Sequence, residues 1–324
     1  MTDLRASIPA PVTSQWRAIW VQFRTHKGAL FGLIILSVLV LFVVLGPLLW
    51  HPEPLKVAQA LKVKNQGPSW QFPLGTDQLG RDMLYRMIQA GKVSLAVGFI
   101  AMIIAIVLGT AVGVLAGYYK RLDGPLMRLT DMFLALPLIP LLLVMVMLFR
   151  DRIAGILGPE LGAFTLIVFA IGITSWMQAA RIVRGEVLAL KEREYVLAAR
   201  SIGAAPRRII LRHILPNVVS PVMVAATLGI AEAIITESVL SFLGLGFPPD
   251  FPTWGRLLFD GLQYMQLYPE RVMWPGIAIS LTVLSVNYIG DGLRDALDPR
   301  IRGRYGQERG VSHPPHPPWG IFAR

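Results

Sequence analysis

Six long apolar stretches constrain this chain more than any other feature of its sequence. About 20 apolar residues in a helix are enough to cross the hydrocarbon core of a bilayer. Charged residues make up only 16% of the chain, against roughly 25% in a typical soluble domain. The sequence therefore predicts an all-α, polytopic membrane protein with six transmembrane helices, at residues 29–50, 94–118, 132–149, 161–180, 218–243 and 272–290.

The Lys and Arg residues between the stretches predict the orientation. With a cytoplasmic N-terminus, residues 1–28, 119–131, 181–217 and 291–324 lie inside and hold 21 of the 31 basic residues. Cytoplasmic loops carry an excess of Lys and Arg, so both termini are expected in the cytoplasm. This distribution also explains the net charge of +11 without a nucleic-acid partner, because the basic residues follow the two sides of the membrane.

The stretches divide the chain into a short leading part and a larger core. A cytoplasmic tail, 1–28, precedes the first helix at 29–50, whose apolar run is too long for a cleaved signal. An extracytoplasmic segment, 51–93, follows, in which Asp77 is expected to cap an amphipathic interfacial helix beginning near Gln78. Five helices form the core, 94–304, and the Pro-rich tail 305–324 is expected to be disordered.

Three further patterns bear on the packing of the predicted helices. Gly109, Gly113 and Gly117 recur every four residues, which favours close helix packing within the bundle or against another subunit. Pro137 and Pro140 predict a kink in the third span. The segment 244–271, rich in Gly, Pro and aromatic residues, is either an outer gate or a cap, and its Trp254 and Trp274 suit an interfacial aromatic belt.

The longest charged stretch lies inside, at 181–217. A helix is predicted over 187–202, Gly203 at its C-terminal cap, and a second helix from Pro206 to Pro216. In the second helix, an apolar face is expected opposite Arg208 and Arg212, and it consists of Ile210, Leu211, Ile214 and Leu215. The sequence thus predicts a helical hairpin on the inner membrane face that docks a soluble partner or rests on anionic headgroups.

Two carboxylates fall inside the fifth stretch. An ionisable residue at membrane depth is costly and marks a transport pathway or a hydrogen-bonded pair. Glu237 is nearer the outer end and is expected to be hydrated or bonded to Ser or backbone. Glu232 is deeper, and either faces a cavity or is neutral and hydrogen-bonded between helices.

The inner stretch resembles the cytoplasmic coupling loop of ABC-importer permeases, the EAA loop. That loop has Glu-Ala-Ala, three residues, Gly, nine residues and Ile-x-Leu-Pro. This chain has Ala198-Ala199, Gly203 and Leu215-Pro216 at the matching spacing, with Leu197 in place of the Glu and His213 in place of the Ile. The resemblance implies a set of ATPase-coupling residues: Glu194, Ala198, Ala199, Gly203, Arg208, Leu211, Arg212, Leu215 and Pro216.

Three more segments are similar to the dipeptide/oligopeptide permeases, specifically to the second permease type. They are GTDQLGRD at 75–82, ESVLSFLGLG at 237–246 and GDGLRDALDPR at 290–300. The resemblance, which covers about 15–304, implies the type I importer fold and a place in the bacterial inner membrane. It also implies three kinds of partner: a second permease, two cytoplasmic ATPases and an extracytoplasmic binding protein.

The resemblance further implies ATP-driven import of peptides, with nickel or another small solute as the alternative cargo. If Glu232 faces a cavity, it would then contact the amino terminus of such a peptide. No cofactor is expected on this chain, because ATP and Mg²⁺ belong to the partner ATPases, and no G-x-x-x-x-G-K-[ST] motif is present. An ion-coupled secondary transporter and an intramembrane enzyme are weaker alternatives. The first would need a repeat and the second a nucleophile or metal cluster at depth, and the sequence displays neither.

Overall fold

The computed structural model describes residues 15–52, 57–248 and 250–297, and these are mostly helical. The predicted tail 305–324 and the C-terminal end of the core lie outside the described residues. In chain order the helices are α1 (Gln15–Thr25), α2 (Lys27–Leu49), α3 (Val57–Lys62), α4 (Met83–Tyr118), α5 (Lys120–Ala135), α6 (Leu138–Leu157), α7 (Pro159–Thr174), α8 (Trp176–Lys191), α9 (Glu194–Ser201), α10 (Pro206–Ile209), α11 (Leu215–Phe242), α12 (Trp254–Leu262) and α13 (Glu270–Leu297).

Within the described ranges, five helical segments are long and apolar enough to cross a membrane. The helices α5 and α6 together make a sixth if their bent pair is counted as one span. This confirms the prediction of an all-α, polytopic membrane protein. The five segments are Lys27–Leu49, Met83–Tyr118, Pro159–Lys191, Pro206–Phe242 and Glu270–Leu297.

The third span differs from the prediction of one kinked helix over 132–149. The chain leaves the helix at Leu136, and α5 and α6 meet at an angle of 88°. A residue before proline avoids the helical region because the proline ring crowds its backbone, and Leu136 is extended, with ψ 133°. Pro137 therefore separates two helices instead of kinking one.

The second span begins eleven residues earlier than predicted, at Met83. Asp82 caps it, accepting a hydrogen bond from the Tyr85 N–H at 2.9 Å. The predicted interfacial helix from Gln78, capped by Asp77, is wrong. Asp77 is instead buried, where its carboxylate accepts hydrogen bonds from Arg81 Nε at 2.7 Å and an Arg86 terminal nitrogen at 2.9 Å.

The glycines at four-residue spacing let α4 approach α8 closely. A Cβ built on Gly109 would lie 2.6 Å from the Ala179 Cβ, and one on Gly113 would lie 2.6 Å from the Ala180 carbonyl oxygen. These separations are too short for any larger side chain without a shift of the helices. The prediction that the stripe serves packing within the bundle is therefore confirmed.

The segment 244–271 packs on α4, α11 and α13 at the predicted outer end. Trp254 is fully buried there, and its Nε1 donates to the Met87 carbonyl at 3.2 Å. The prediction that Trp254 belongs to an interfacial belt is wrong, because its hydrogen bond and its packing are both inside the protein. Trp274 is half-buried. This arrangement fits the interpretation of the segment as a cap.

Arg271 ties this cap to the other long segment at the same end. Its terminal nitrogen donates to the Thr76 carbonyl at 2.6 Å and to Asn65 Oδ1 at 2.9 Å. The guanidinium also lies over the ring of Tyr268, 4.4 Å from the centroid, a favourable cation–π position. Arg271 thus joins the two long segments at the predicted outer end, as do Arg81 through Asp250 and Arg86 through Asp260.

Candidate functional site

The inner stretch folds as three helical pieces instead of a simple hairpin. The helix predicted over 187–202 is interrupted, because α8 ends at Lys191 and α9 begins at Glu194. Gly203 follows α9 in the left-handed region, with φ +78°, and the Ala204 N–H donates to the Ala199 carbonyl at 3.1 Å. The predicted cap at Gly203 is therefore confirmed, as is the helix start at Pro206.

Pro216 does not end the second helix, contrary to the prediction. The helix continues from Pro206 to Phe242 through a π-helical turn at Ile210–Ile214. In this turn the Leu215 N–H bonds to the carbonyl five residues back, at Ile210. A proline ring clashes with the carbonyl four residues earlier in an α-helix, and the wider π turn is a known accommodation of such a disruption.

The π turn also rearranges the predicted apolar face. Ile209 and Ile214, five residues apart, are both buried, whereas Leu211 is 51% exposed. Of the predicted apolar face, Ile214 is buried, and Ile210 and Leu215 pack against the same cluster. Only Leu211 lies outside it, because the prediction assumed α-helical spacing. Ile209 and Ile214 pack in a cluster with Val183, Val187 and Val196, so the segment is fixed to α8 and α9.

An exposed surface remains on the far side of this cluster, and we call it the coupling face. Its apolar members are Tyr195, Leu197, Ile202 and Leu211, and its basic members are Arg208 and Arg212. Ile202 is 85% exposed, and the sequence analysis did not single it out. Its only signal was an apolar residue directly before the capping glycine.

The residues predicted to couple to an ATPase fall on both sides of the segment. Ala199 is buried and Leu215 is half-buried. The others are exposed: Glu194, Ala198, Gly203, Arg208, Leu211, Arg212 and Pro216. The structure thus brings most of the predicted set to the surface, while Ala199 belongs to the packing beneath it.

Ion pairs join α8, which precedes the coupling face, to α5. The Arg184 guanidinium forms a two-point pair with the Asp123 carboxylate, one contact measuring 2.8 Å. Arg181 contacts Asp131 at 2.5 Å. Lys191 completes the junction, since its Nζ donates to the Gly117 carbonyl at the end of α4 at 3.1 Å. These contacts attach α8 to α5 and to the end of α4.

Glu237 is enclosed by the protein. Ser94 Oγ donates to Glu237 Oε2 at 2.9 Å, and Ser241 Oγ donates to Oε1 at 2.7 Å. The side chain is 0% exposed, so the expectation of hydration is wrong. The geometry matches the other expectation, a bond to serine, and Ser94 also accepts from the Trp254 N–H. Glu237 thus links α4, α11 and the cap.

Glu232, one and a half turns earlier, is exposed and lines a pocket of about 180 Å³. The pocket lies at the bend between α5 and α6 and at Ser175, the single residue between α7 and α8. Its polar side chains are Glu232, Gln178, Thr174 and Ser175, and its apolar lining includes Phe133 and Leu136. We call this the break pocket.

A second, larger cavity of about 1390 Å³ opens at the predicted outer end. Its lining mixes both signs of charge and includes Trp50, Arg81, Tyr85, Lys92, Glu160 and Asp250. Across the part of the chain that the structure describes, no three His, Cys, Asp or Glu residues are grouped to hold a metal ion. Both cavities have polar side chains in their lining.

Comparison with known proteins places this geometry in a family. A family described as "binding-protein-dependent transport system inner membrane component" matches residues 105–303. The "N-terminal TM domain of oligopeptide transport permease C" matches residues 14–68.

Individual relatives match over most of their length. The dipeptide transport system permease protein DppC of Alkalihalophilus pseudofirmus is 40% identical, over 89% of this chain and 91% of its own. The oligopeptide transport system permease protein OppC of Bacillus subtilis is 38% identical, with the same coverage. The glutathione transport system permease protein GsiD of Pectobacterium atrosepticum is 37% identical, over 90% of this chain and 93% of its own.

A solved structure shares the fold. It is an inward-facing conformation of the MetNI methionine ABC transporter, with a TM-score of 0.52 and 19% sequence identity. The match covers 67% of this chain and 98% of the other. At this identity the similarity concerns the fold alone.

Proposed function

We propose a function on the basis of the family to which the chain belongs. That family is the binding-protein-dependent transport system inner membrane components, the membrane-spanning subunits of ABC importers. The chain's cargo, we propose, is di- and oligopeptides. Relatives named for dipeptides, oligopeptides and glutathione, itself a tripeptide, support this cargo. Nickel or another small solute is the alternative.

The proposed assembly contains this chain, a second permease, two cytoplasmic ATPases and an extracytoplasmic binding protein. ATP and Mg²⁺ would be bound and used by the ATPases, while this chain is not an enzyme. The family description supports a bacterial inner-membrane location, and the positive-inside distribution of Lys and Arg supports both termini in the cytoplasm. In this orientation the coupling face is cytoplasmic and the cap of 244–271 is extracytoplasmic.

The continuity of the helix from Pro206 to Phe242 carries the proposal. Its inner end displays Leu211 and Arg212 on the coupling face, and its membrane part carries Glu232. The 21 residues between Leu211 and Glu232 span about 30 Å at 1.5 Å per residue. One stiff element therefore connects the ATPase docking surface to the membrane interior.

In the proposed cycle, ATP binding closes the ATPase pair, and the coupling face moves with it. Alternating access in transporters is largely rigid-body rocking of bundles about a central site. The continuous helix and the α8–α5 ion pairs would transmit this movement to the bent span of α5 and α6. For the movement to shift the equilibrium, the coupling face must contact the ATPase differently in the two states.

The test is uptake in cells lacking this chain and in cells that carry it on a plasmid. Labelled dipeptide, a longer peptide and nickel would be offered in parallel, first with intact ATPases and then with their catalytic site disabled. Peptide uptake that returns only with the chain and active ATPases is the expected result. Uptake that persists with disabled ATPases would replace this proposal with the ion-coupled secondary transporter.

A further inference from the structure

We propose that the break pocket binds the amino terminus of a peptide in transit, with the Glu232 carboxylate receiving its α-ammonium group. The inference rests on the proposed function, and it adds a specific subsite within the pathway. Three observations carry it: the depth of Glu232, the absence of a partner for its charge among the described residues, and the helix ends that surround it.

The length of α11 predicts that Glu232 lies near the middle of the bilayer. The span ends at Phe242, ten residues further on, which at 1.5 Å per residue is about 15 Å. That is half of a hydrocarbon core of about 30 Å. An exposed carboxylate at this depth is costly against lipid, so such groups face a bundle interior or a water-filled cavity. The break pocket is the cavity that Glu232 faces.

The charge of Glu232 is uncompensated in the described chain. No Lys, Arg or His lines the pocket, and Glu232 has no side-chain hydrogen bond or ion pair with another described residue. This contrasts with Glu237, five residues on, whose two carboxylate oxygens are both bonded to serines. The same helix therefore carries one satisfied and one open carboxylate, and only the open one lines a cavity.

The helix ends around the pocket supply further groups that suit a peptide amino terminus. The C-terminal end of α5 meets the pocket at Phe133 and Leu134, and the junction between α7 and α8 meets it at Thr174 and Ser175. The C-terminal end of a helix favours a cation. The exposed Gln178 amide supplies a further donor and acceptor. The amino terminus of a peptide presents an ammonium cation next to a carbonyl acceptor. The Glu232 carboxylate and the end of α5 suit the cation, and the Gln178 amide suits the carbonyl.

The chemistry favours an organic ammonium over a metal ion. One carboxylate with neutral oxygens is a poor set for a transition metal, which prefers imidazole or thiolate ligands, and the described residues contain no metal-binding group of three such side chains. The pocket of about 180 Å³ far exceeds the roughly 10–15 Å³ that a single water needs. It therefore has room for the terminal group of a flexible chain.

The experiment compares two cargoes in proteoliposomes that hold the complete importer. The cargoes are a labelled tripeptide with a free amino terminus and the same tripeptide N-acetylated, each at a concentration that saturates the binding protein. The variants are wild type, Glu232→Gln and Glu232→Asp. Glu270→Gln is the matched control, since it removes the same charge in the first turn of α13, outside the pocket.

Loss of a charge-assisted hydrogen bond in Glu232→Gln is expected to slow import of the free-amino peptide about tenfold. Import of the acetylated peptide should stay within about twofold, and Glu232→Asp should retain part of the preference. The control should behave as wild type with both cargoes.

Three results would overturn the inference. Equal slowing of both cargoes in Glu232→Gln would assign Glu232 to folding or to a contact with the second permease. No change with either cargo would make Glu232 irrelevant to transport. If the wild type imports neither cargo, the proposed peptide import itself is refuted. This result is distinguished from the other two because it appears without any variant.

Discussion

The most quantitative prediction concerns Ile202 at the tip of the coupling face. Truncation to alanine removes three carbon atoms, each worth about 0.8 kcal/mol on complete burial. Because the side chain is 85% exposed in this chain, nearly all of that gain is available to a docked ATPase. Ile202→Ala should therefore cost about 2 kcal/mol of binding free energy, or about 30-fold in Kd.

The assay is a titration of labelled ATPase subunits against the permease pair in nanodiscs, with the affinity taken from fluorescence anisotropy. Ile156→Ala is the matched control, because that isoleucine is 77% exposed but lies near the end of α6. An unchanged Kd for Ile202→Ala, or an equal loss for both variants, would refute the assignment of the ATPase contact to the coupling face.

Three further outcomes are expected. Leu211→Glu should reduce ATPase recovery on pull-down, because a charge replaces a half-exposed apolar contact; unchanged recovery would favour headgroup binding. Gly113→Leu should lower the thermal unfolding midpoint, since overpacking between α4 and α8 costs about 1–3 kcal/mol; an unaltered midpoint would contradict the close approach. Glu237→Ala should destabilise by about 1–3 kcal/mol and Glu237→Gln by less, because alanine leaves the Ser94 and Ser241 hydroxyls without an acceptor. Equal midpoints for the two Glu237 variants would count against the buried network.

The membrane spans were predictable because length and apolarity are properties of the sequence alone. The start of α4 was not, because Arg86 and Lys92 interrupt the apolar run although the helix continues through them. Arg86 is neutralised by Asp77, an ion pair that forms only when the loop 76–82 folds back. Asp77 was predicted to cap a helix beginning near Gln78, but the loop geometry places Asp82 at the cap of α4 instead.

Residues 181–217 show which features of the fold local sequence patterns can predict and which they cannot. Gly203 and Pro206 were placed correctly, because their backbone preferences act within one turn. Pro216 was misassigned, because its effect depends on whether the helix widens or ends, and here the spans around it favour a continuous helix. The π turn then moved Ile209 into the core and left Leu211 outside, which α-helical spacing does not anticipate.

The surroundings of Glu232 and Glu237 are set by tertiary structure. Both carboxylates of the fifth span were recognised from their depth, but the sequence could not distinguish their surroundings. The serine partners of Glu237 include Ser94 on α4, 143 residues away along the chain. The pocket at Glu232 exists because the bend at Pro137 and the junction at Ser175 lie side by side, and no local pattern specifies that proximity.

The central claim is ATP-driven peptide import through this chain, and one measurement tests it most directly. The complete importer would be reconstituted in proteoliposomes, and labelled dipeptide entry would be followed with the binding protein on one side and ATP on the other. The account predicts entry that requires ATP, the binding protein and this chain together. Entry at the same rate without ATP, or with this chain left out, would contradict it.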